Sequence, residues 1–215
     1  MSDPVRSGNL ATAYGRDIVA VTTYPESRMK IRLALILSLA ALPQLAAAQT
    51  IVSSGMGLAH ACYIIARTGR DPKGGVDTCD QSLRQEMLNT RDKAATYDNR
   101  GVMLDKLGRT EAATDDFNAS IRLDPTLGDP HVNLGSVMIK QRRLDEALAH
   151  INKGLDLGMS FPHIGYYDRA VAEQLQGQFK AAYYDYKKAL ELEPHFEQAS
   201  ERLKDFTVIK APKSG

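Results

Sequence analysis

Residues 94–127 read AATYDNRGVMLDKLGRTEAATDDFNASIRLDPTL, and the chain repeats the pattern twice more. It does so as GDPHVNLGSVMIKQRRLDEALAHINKGLDLGMSFP over 128–162 and as HIGYYDRAVAEQLQGQFKAAYYDYKKALELEPHF over 163–196. With the three units aligned, small residues recur in columns: Gly101, Gly135 and Ala170; Ala113, Ala147 and Ala182; Ser120, Gly154 and Ala189. A large residue follows the second column each time, as Phe117, Ile151 and Tyr186. Pro125 and Pro194 close the outer units, where the middle one has Met159.

Within each unit the large apolar residues recur every three or four positions, the spacing of one face of a helix. Leu107, Leu144 and Phe179 flank breaks that contain Gly108, Arg142-Arg143 and Gly177-Gln178. Two helices joined by so short a break must run antiparallel. Small residues let their backbones approach, and the large residue fills the space beside them. Asp124-Pro125 and Glu193-Pro194 end the second helix, because the residue before a proline is pushed out of helical geometry. A lone hairpin cannot bury its apolar face, so neighbouring hairpins must stack.

This pattern resembles the tetratricopeptide repeat, whose places hold Trp, Leu-Gly, Tyr, Ala, Phe, Ala and Pro. They read Tyr97, Arg100-Gly101, Leu104, Ala113, Phe117, Ser120 and Pro125 in the first unit. The second reads His131, Leu134-Gly135, Met138, Ala147, Ile151, Gly154 and Met159, and the third Tyr166, Arg169-Ala170, Glu173, Ala182, Tyr186, Ala189 and Pro194. Met159 in place of Pro and Glu173 in place of a large side chain depart from the pattern. The resemblance implies an all-α, tetratricopeptide-type α-solenoid of helix–turn–helix repeats over 94–127, 128–162 and 163–196.

Residues 49–93 fit the same template as a degenerate N-terminal repeat. Gly69 sits in the turn, Arg70–Gly74 make a longer turn, and Cys62, Gly75 and Ser82 fall in the small columns. Cys79 takes the large residue's place, and Leu88–Lys93 read as an added turn and link. The template sets Cys62 and Cys79 on facing sides of two helices. In an exported protein such a pair favours a disulfide, worth roughly 3 kcal/mol in the chain-entropy account; two buried thiols are the alternative. Residues 197–215 read as a capping helix and a frayed tail, the amphipathic run extending from His195 to Phe206.

Upstream, Met29-Lys30-Ile31-Arg32, an apolar run from Leu33 to Leu42 and Ala46-Ala47-Ala48 have the layout of a signal peptide over 29–48. The run is too short for a comfortable membrane span. Residues 1–28 read as a mispredicted or disordered extension ahead of a start at Met29. The expected location is therefore outside the cytoplasm, in a bacterial periplasm, and membrane contact is expected only if the segment stays uncleaved.

The chain carries 27 Lys and Arg against 26 Asp and Glu, for a net charge of +1, which gives no electrostatic case for nucleic acid. His60, His131, His150, His163 and His195 show no metal-binding spacing with an intervening carboxylate. His131 holds an aromatic repeat place, and Asp115-Asp116 and Asp145-Glu146 read as solvated acids. No catalytic set, metal, cofactor or small-molecule substrate is expected, and the chain is not expected to be an enzyme.

The resemblance implies a groove lined by the first helix of each unit that takes a peptide or partner protein. Here that face comprises Asp98, Asn99, Val102 and Asp105; Val132, Asn133, Ser136 and Ile139; and Tyr167, Asp168, Val171 and Gln174. An amide at Asn99 or Asn133 could bond an extended peptide, since it both donates and accepts, or could bond within its own array. Asp98, Ile164 and Asp168 occupy places where a basic carboxylate clamp would stand. The expected ligand is therefore neutral or mildly basic with apolar anchors, and the expected role is an adaptor or assembly factor. An accessory subunit of a cell-envelope enzyme, or a membrane-tethered scaffold, is the alternative.

Overall fold

A computed structural model describes residues 17–21 and 57–210. The expected signal segment, residues 29–48, lies outside the described residues. The chain divides into two compact units at Phe161.

The unit ending at Ser160 contains three helical hairpins. They are α1 (Leu58–Thr68) with α2 (Pro72–Gln85), α3 (Thr90–Lys106) with α4 (Thr110–Leu123), and α5 (Asp129–Lys140) with α6 (Leu144–Leu157). Each hairpin packs on the next: α1 and α2 meet α3, and α3 and α4 meet α5. One core runs through them, from Cys62 and Cys79 past Met103, Phe117 and Val132 to Ile151.

The small columns mark the places where two helices come closest. A Cβ added at Gly101 would lie 2.6 Å from the Phe117 ring, and one at Gly135 would lie 2.5 Å from Ile151 Cγ1. Phe117 and Ile151 are fully enclosed, each worth about 1.5–3 kcal/mol of burial. The first hairpin has no such large residue. There a disulfide joins Cys62 to Cys79 across a Cα–Cα distance of 5.0 Å. The covalent bridge replaces the contact that an aromatic or aliphatic side chain makes in the other hairpins.

The turns repeat one device. Gly108 and Arg142 adopt left-handed φ of 73° and 62°. The following amide reaches back to the first helix, Arg109 N to Leu104 O and Arg143 N to Met138 O, both at 2.9 Å. In the first hairpin the sequence reading placed Arg70–Gly74 in the turn. Residues 72–74 instead form the opening turn of α2, because Pro72 starts the helix and the Asp71 carboxylate accepts from Gly74 N at 3.0 Å. The presumed link before Ala94 is shorter than expected as well. Asn89 caps α3, accepting from Asp92 N at 2.8 Å, so residues 90–93 belong to the helix. Glu86 ties this hairpin shut by accepting from the free amides of Leu58 and Ala59 at the start of α1, at 2.6 and 2.8 Å.

The second unit contains α7 (Pro162–Leu175), α8 (Phe179–Leu192), the short α9 (Glu197–Leu203) and two strands, β1 (Asp17–Val21) and β2 (Phe206–Lys210). Ala170, Ala182, Tyr186, Ala189 and Ala199 form its core. Gly177 takes the left-handed turn position with φ of 77°. β1 and β2 pair antiparallel, Asp17 opposite Lys210 and Val21 opposite Phe206. This corrects two expectations. Val208–Lys210 are not frayed, and Asp17–Val21 are not part of an unstructured extension. Main-chain pairing supplies what the period of so short a segment cannot reveal, although Ile18, Val19 and Val21 are strand-favouring residues. The helices over 58–203 remain the body of an all-α fold.

Gly154 sits where no side chain fits. A Cβ there would lie 2.6 Å from both Gly128 O and Val132 Cγ2. Gly154→Ala is expected to cost about 1–3 kcal/mol, read as a lower denaturant midpoint with an unchanged slope. An unchanged midpoint would contradict this packing.

Candidate functional site

Two cross-repeat links set the first-helix face of α3 and α5. Asn133 Nδ2 donates to Asp98 Oδ1 at 2.9 Å, and Lys140 Nζ donates to Asp105 Oδ2 at 2.5 Å. Both join residues 35 apart in sequence, so each place faces the one a single position beyond its equivalent in the next unit. Between them lie Asn99, Val102, Ser136 and Ile139, all half-buried. Val102 and Ile139 lean on the core and present what remains of their apolar surface. Among the described residues, the Asn99 amide makes no hydrogen bond, whereas Ser136 Oγ donates to Val132 O at 3.2 Å.

Asp98 is the electrostatic feature of this face. Its side chain is only 8 % exposed. Burial raises its pKa to about 7; the Asn133 hydrogen bond opposes the shift and Asp129 adds to it. Near neutral pH the carboxyl therefore shares its population between acid and carboxylate.

Besides Asp98, two of the expected face residues are buried. Val132 is fully enclosed, one residue round the helix from Asn133, and packs against the place where Gly154 lacks a side chain. Gln174 on α7 is buried and accepts the Tyr186 hydroxyl at 2.7 Å. Both are core residues. In the same unit Tyr167 is half-buried, with its ring 5.6 Å from that of Tyr186 and 5.3 Å from Phe196. Asp168 and Val171 are also half-buried.

The expectation of solvated acids fails at Asp116. It is buried and receives two hydrogen bonds from Arg100, at 2.7 and 2.6 Å, while Arg100 also reaches Asp80 of the preceding hairpin at 2.5 Å. The guanidinium lies 5.2 Å from the Tyr97 ring centroid. The second unit repeats the arrangement, with Arg169 on Asp185 at 2.6 and 3.0 Å and 5.2 Å from Tyr166. Each Arg stands one place before a small-column residue, and each Asp one place before the large residue. That shared offset was the sequence signal for the pairs. Asp115, Asp145 and Glu146 are exposed as expected.

Among the described residues no group of three or more His, Cys, Asp or Glu is placed to hold a metal ion. No described helix is long and apolar enough to cross a membrane.

Models of the tetratricopeptide repeat match residues 94–127 and 163–196. The chain therefore carries tetratricopeptide repeats. The Hsp70-Hsp90 organizing protein of Triticum aestivum is 28 % identical over 109 residues, covering 51 % of this chain but only 19 % of that protein. Similar solved structures include PilW, described as a widely conserved type IV pilus biogenesis factor, at TM-score 0.58 and 21 % identity over 68 % of this chain and 65 % of that one. A double mutant of MamA RS-1 follows at TM-score 0.52 and 18 % identity, covering 68 % and 79 %. YrrB, described as a tetratricopeptide repeat protein with an unusual peptide-binding site, aligns at TM-score 0.50 and 19 % identity, covering 68 % and 74 %. At these identities the structures establish the fold.

Glu173 occupies the place held by Leu104 and Met138 in the other repeats, and its Oε2 is buried without a hydrogen-bond partner. Burial raises its pKa to about 7, Asp185 adds to the rise and Arg169 opposes it. A raised acid favours the folded state while protonated, and that contribution is lost as pH climbs from the ordinary carboxylate range through 7. Glu173→Leu is expected to raise Tm, with a larger gain at mildly alkaline than at mildly acidic pH. An equal gain at both would show that ionisation is not the cause.

Proposed function

We propose that the chain is a protein-interaction module whose α3–α5 face takes an extended, mildly basic segment of a partner. The observation that carries this reading is the enclosed Asp98 carboxyl, held by Asn133 beside the half-buried Val102 and Ile139. A Lys or Arg of the partner would draw Asp98 fully into its ionised form, while Val102 and Ile139 supply apolar anchorage. The Asn99 amide offers a donor and an acceptor to a peptide backbone. A terminal carboxylate would meet like charge at Asp98, which stands where a basic clamp residue would be needed. This separates the proposed ligand from a carboxylate-tailed chaperone peptide, despite the sequence relative named for such chaperones.

The proposal includes export and a role as a periplasmic adaptor or assembly factor rather than an enzyme. The Cys62–Cys79 bridge supports an oxidising compartment, in keeping with the signal layout at 29–48.

Photo-crosslinking in the native host tests the face. A crosslinker at Asn99 or Ser136 is expected to capture one shared partner, and one at the exposed Asp115 on α4 is not. Equal capture at all three positions would contradict the proposal. Asp98→Asn is expected to weaken a basic partner segment by roughly tenfold. Cell fractionation with non-reducing mass spectrometry tests export, which predicts an oxidised pair in the periplasmic fraction; reduced thiols in the cytoplasm would overturn it.

A further inference from the structure

The Tyr–Arg–Asp arrangement of the outer repeats is absent from the middle one. Where they hold Tyr97, Arg100 and Asp116, or Tyr166, Arg169 and Asp185, the middle repeat holds His131, Leu134 and His150. The cation and its carboxylate are gone, and two imidazoles face each other across α5 and α6. Their Nδ1 atoms lie 3.2 Å apart, with ring centroids 5.4 Å apart and planes inclined by 33°. Both rings are half-buried, so they are held in place yet reachable from solvent.

We propose that His131 and His150 form a two-imidazole site for a borderline divalent transition metal of the copper, nickel or zinc class. Imidazole nitrogen suits these ions, and copper is expected to bind more tightly than either nickel or zinc. Two nitrogens at metal–nitrogen distances of about 2.05 Å in a tetrahedral shell lie roughly 3.3 Å apart, close to the separation observed. In the absence of metal one Nδ1 carries a hydrogen and the other accepts it. Metal binding needs a small turn of both rings about Cβ–Cγ, so that the two lone pairs converge, and transfer of that hydrogen to the ring's own Nε2 through solvent. No net proton is released from two neutral rings. Solvent completes the shell.

The surroundings keep the rings neutral and available. Burial lowers the pKa of His131, and His150 and Lys153 lower it further. Burial also lowers the pKa of His150, where Glu146 opposes and Arg143 adds to the effect. Glu146 lies one helical turn before His150 and is engaged by Arg143 at 2.7 and 2.6 Å. It is a third donor only if that pair opens.

The test is calorimetric titration of the full chain, free of any histidine tag, with copper, nickel and zinc chlorides at neutral to slightly alkaline pH. One saturable equivalent is expected, with copper the tightest. His131→Tyr, which installs the side chain of the outer repeats, and His150→Asn should each weaken binding by about tenfold or more. Copper should selectively broaden the His131 and His150 ring resonances in the wild-type chain. His163→Ala should bind as wild type, and circular dichroism checks that each variant folds. Lack of saturable binding, wild-type binding by either folded site variant, or broadening centred on other histidines would overturn the proposal. The peptide-face reading stands or falls separately, because its crosslinks need no metal.

Discussion

The closest approach of two helix backbones, made possible by a missing side chain and sealed by one large neighbour, is the constraint on which the rest of the structure depends. Gly101 beneath Phe117 and Gly135 beneath Ile151 fix how each hairpin closes. Once closed, a hairpin presents a second surface to its successor, and residues one place beyond the repeat spacing meet, as Asp98 meets Asn133 and Asp105 meets Lys140. The face proposed to bind a partner is a by-product of that register. Its side chains point outward because the neighbouring turn of the helix is committed inward.

The first hairpin shows how much the contact matters. It lacks the large residue, and its glycines Gly74 and Gly75 weaken a helix that begins only at Pro72. A covalent bridge between Cys62 and Cys79 and the Glu86 carboxylate on the bare amides of α1 replace what packing supplies elsewhere. Terminal repeats have a neighbour on one side only, so local fastening is a reasonable substitute for buried area.

The repeat architecture was legible because its signals are periodic. Columns of Gly and Ala, left-handed turns at Gly108 and Gly177, and prolines after Asp124 and Glu193 all recur at the repeat spacing. Even the exception is regular, since Arg142 adopts the same left-handed turn. What escaped had no period or depended on a partner distant in sequence. Pairing of Asp17–Val21 with Phe206–Lys210 spans nearly the whole chain. Asp116 looked solvated until Arg100 was placed beside it, and His131 looked like a simple aromatic substitute until His150 met it across the hairpin. On the candidate face, Val132 and Gln174 were misjudged because one step round a helix separates surface from core.

Nuclear Overhauser contacts within the helical hairpins test the central packing most directly. The account predicts strong contacts from the Phe117 ring protons to the Gly101 α-protons and from the Ile151 methyls to those of Gly135. Absence of both, with the glycine α-protons in contact with solvent instead, would contradict the close-approach packing from which the binding face and the histidine pair are both built.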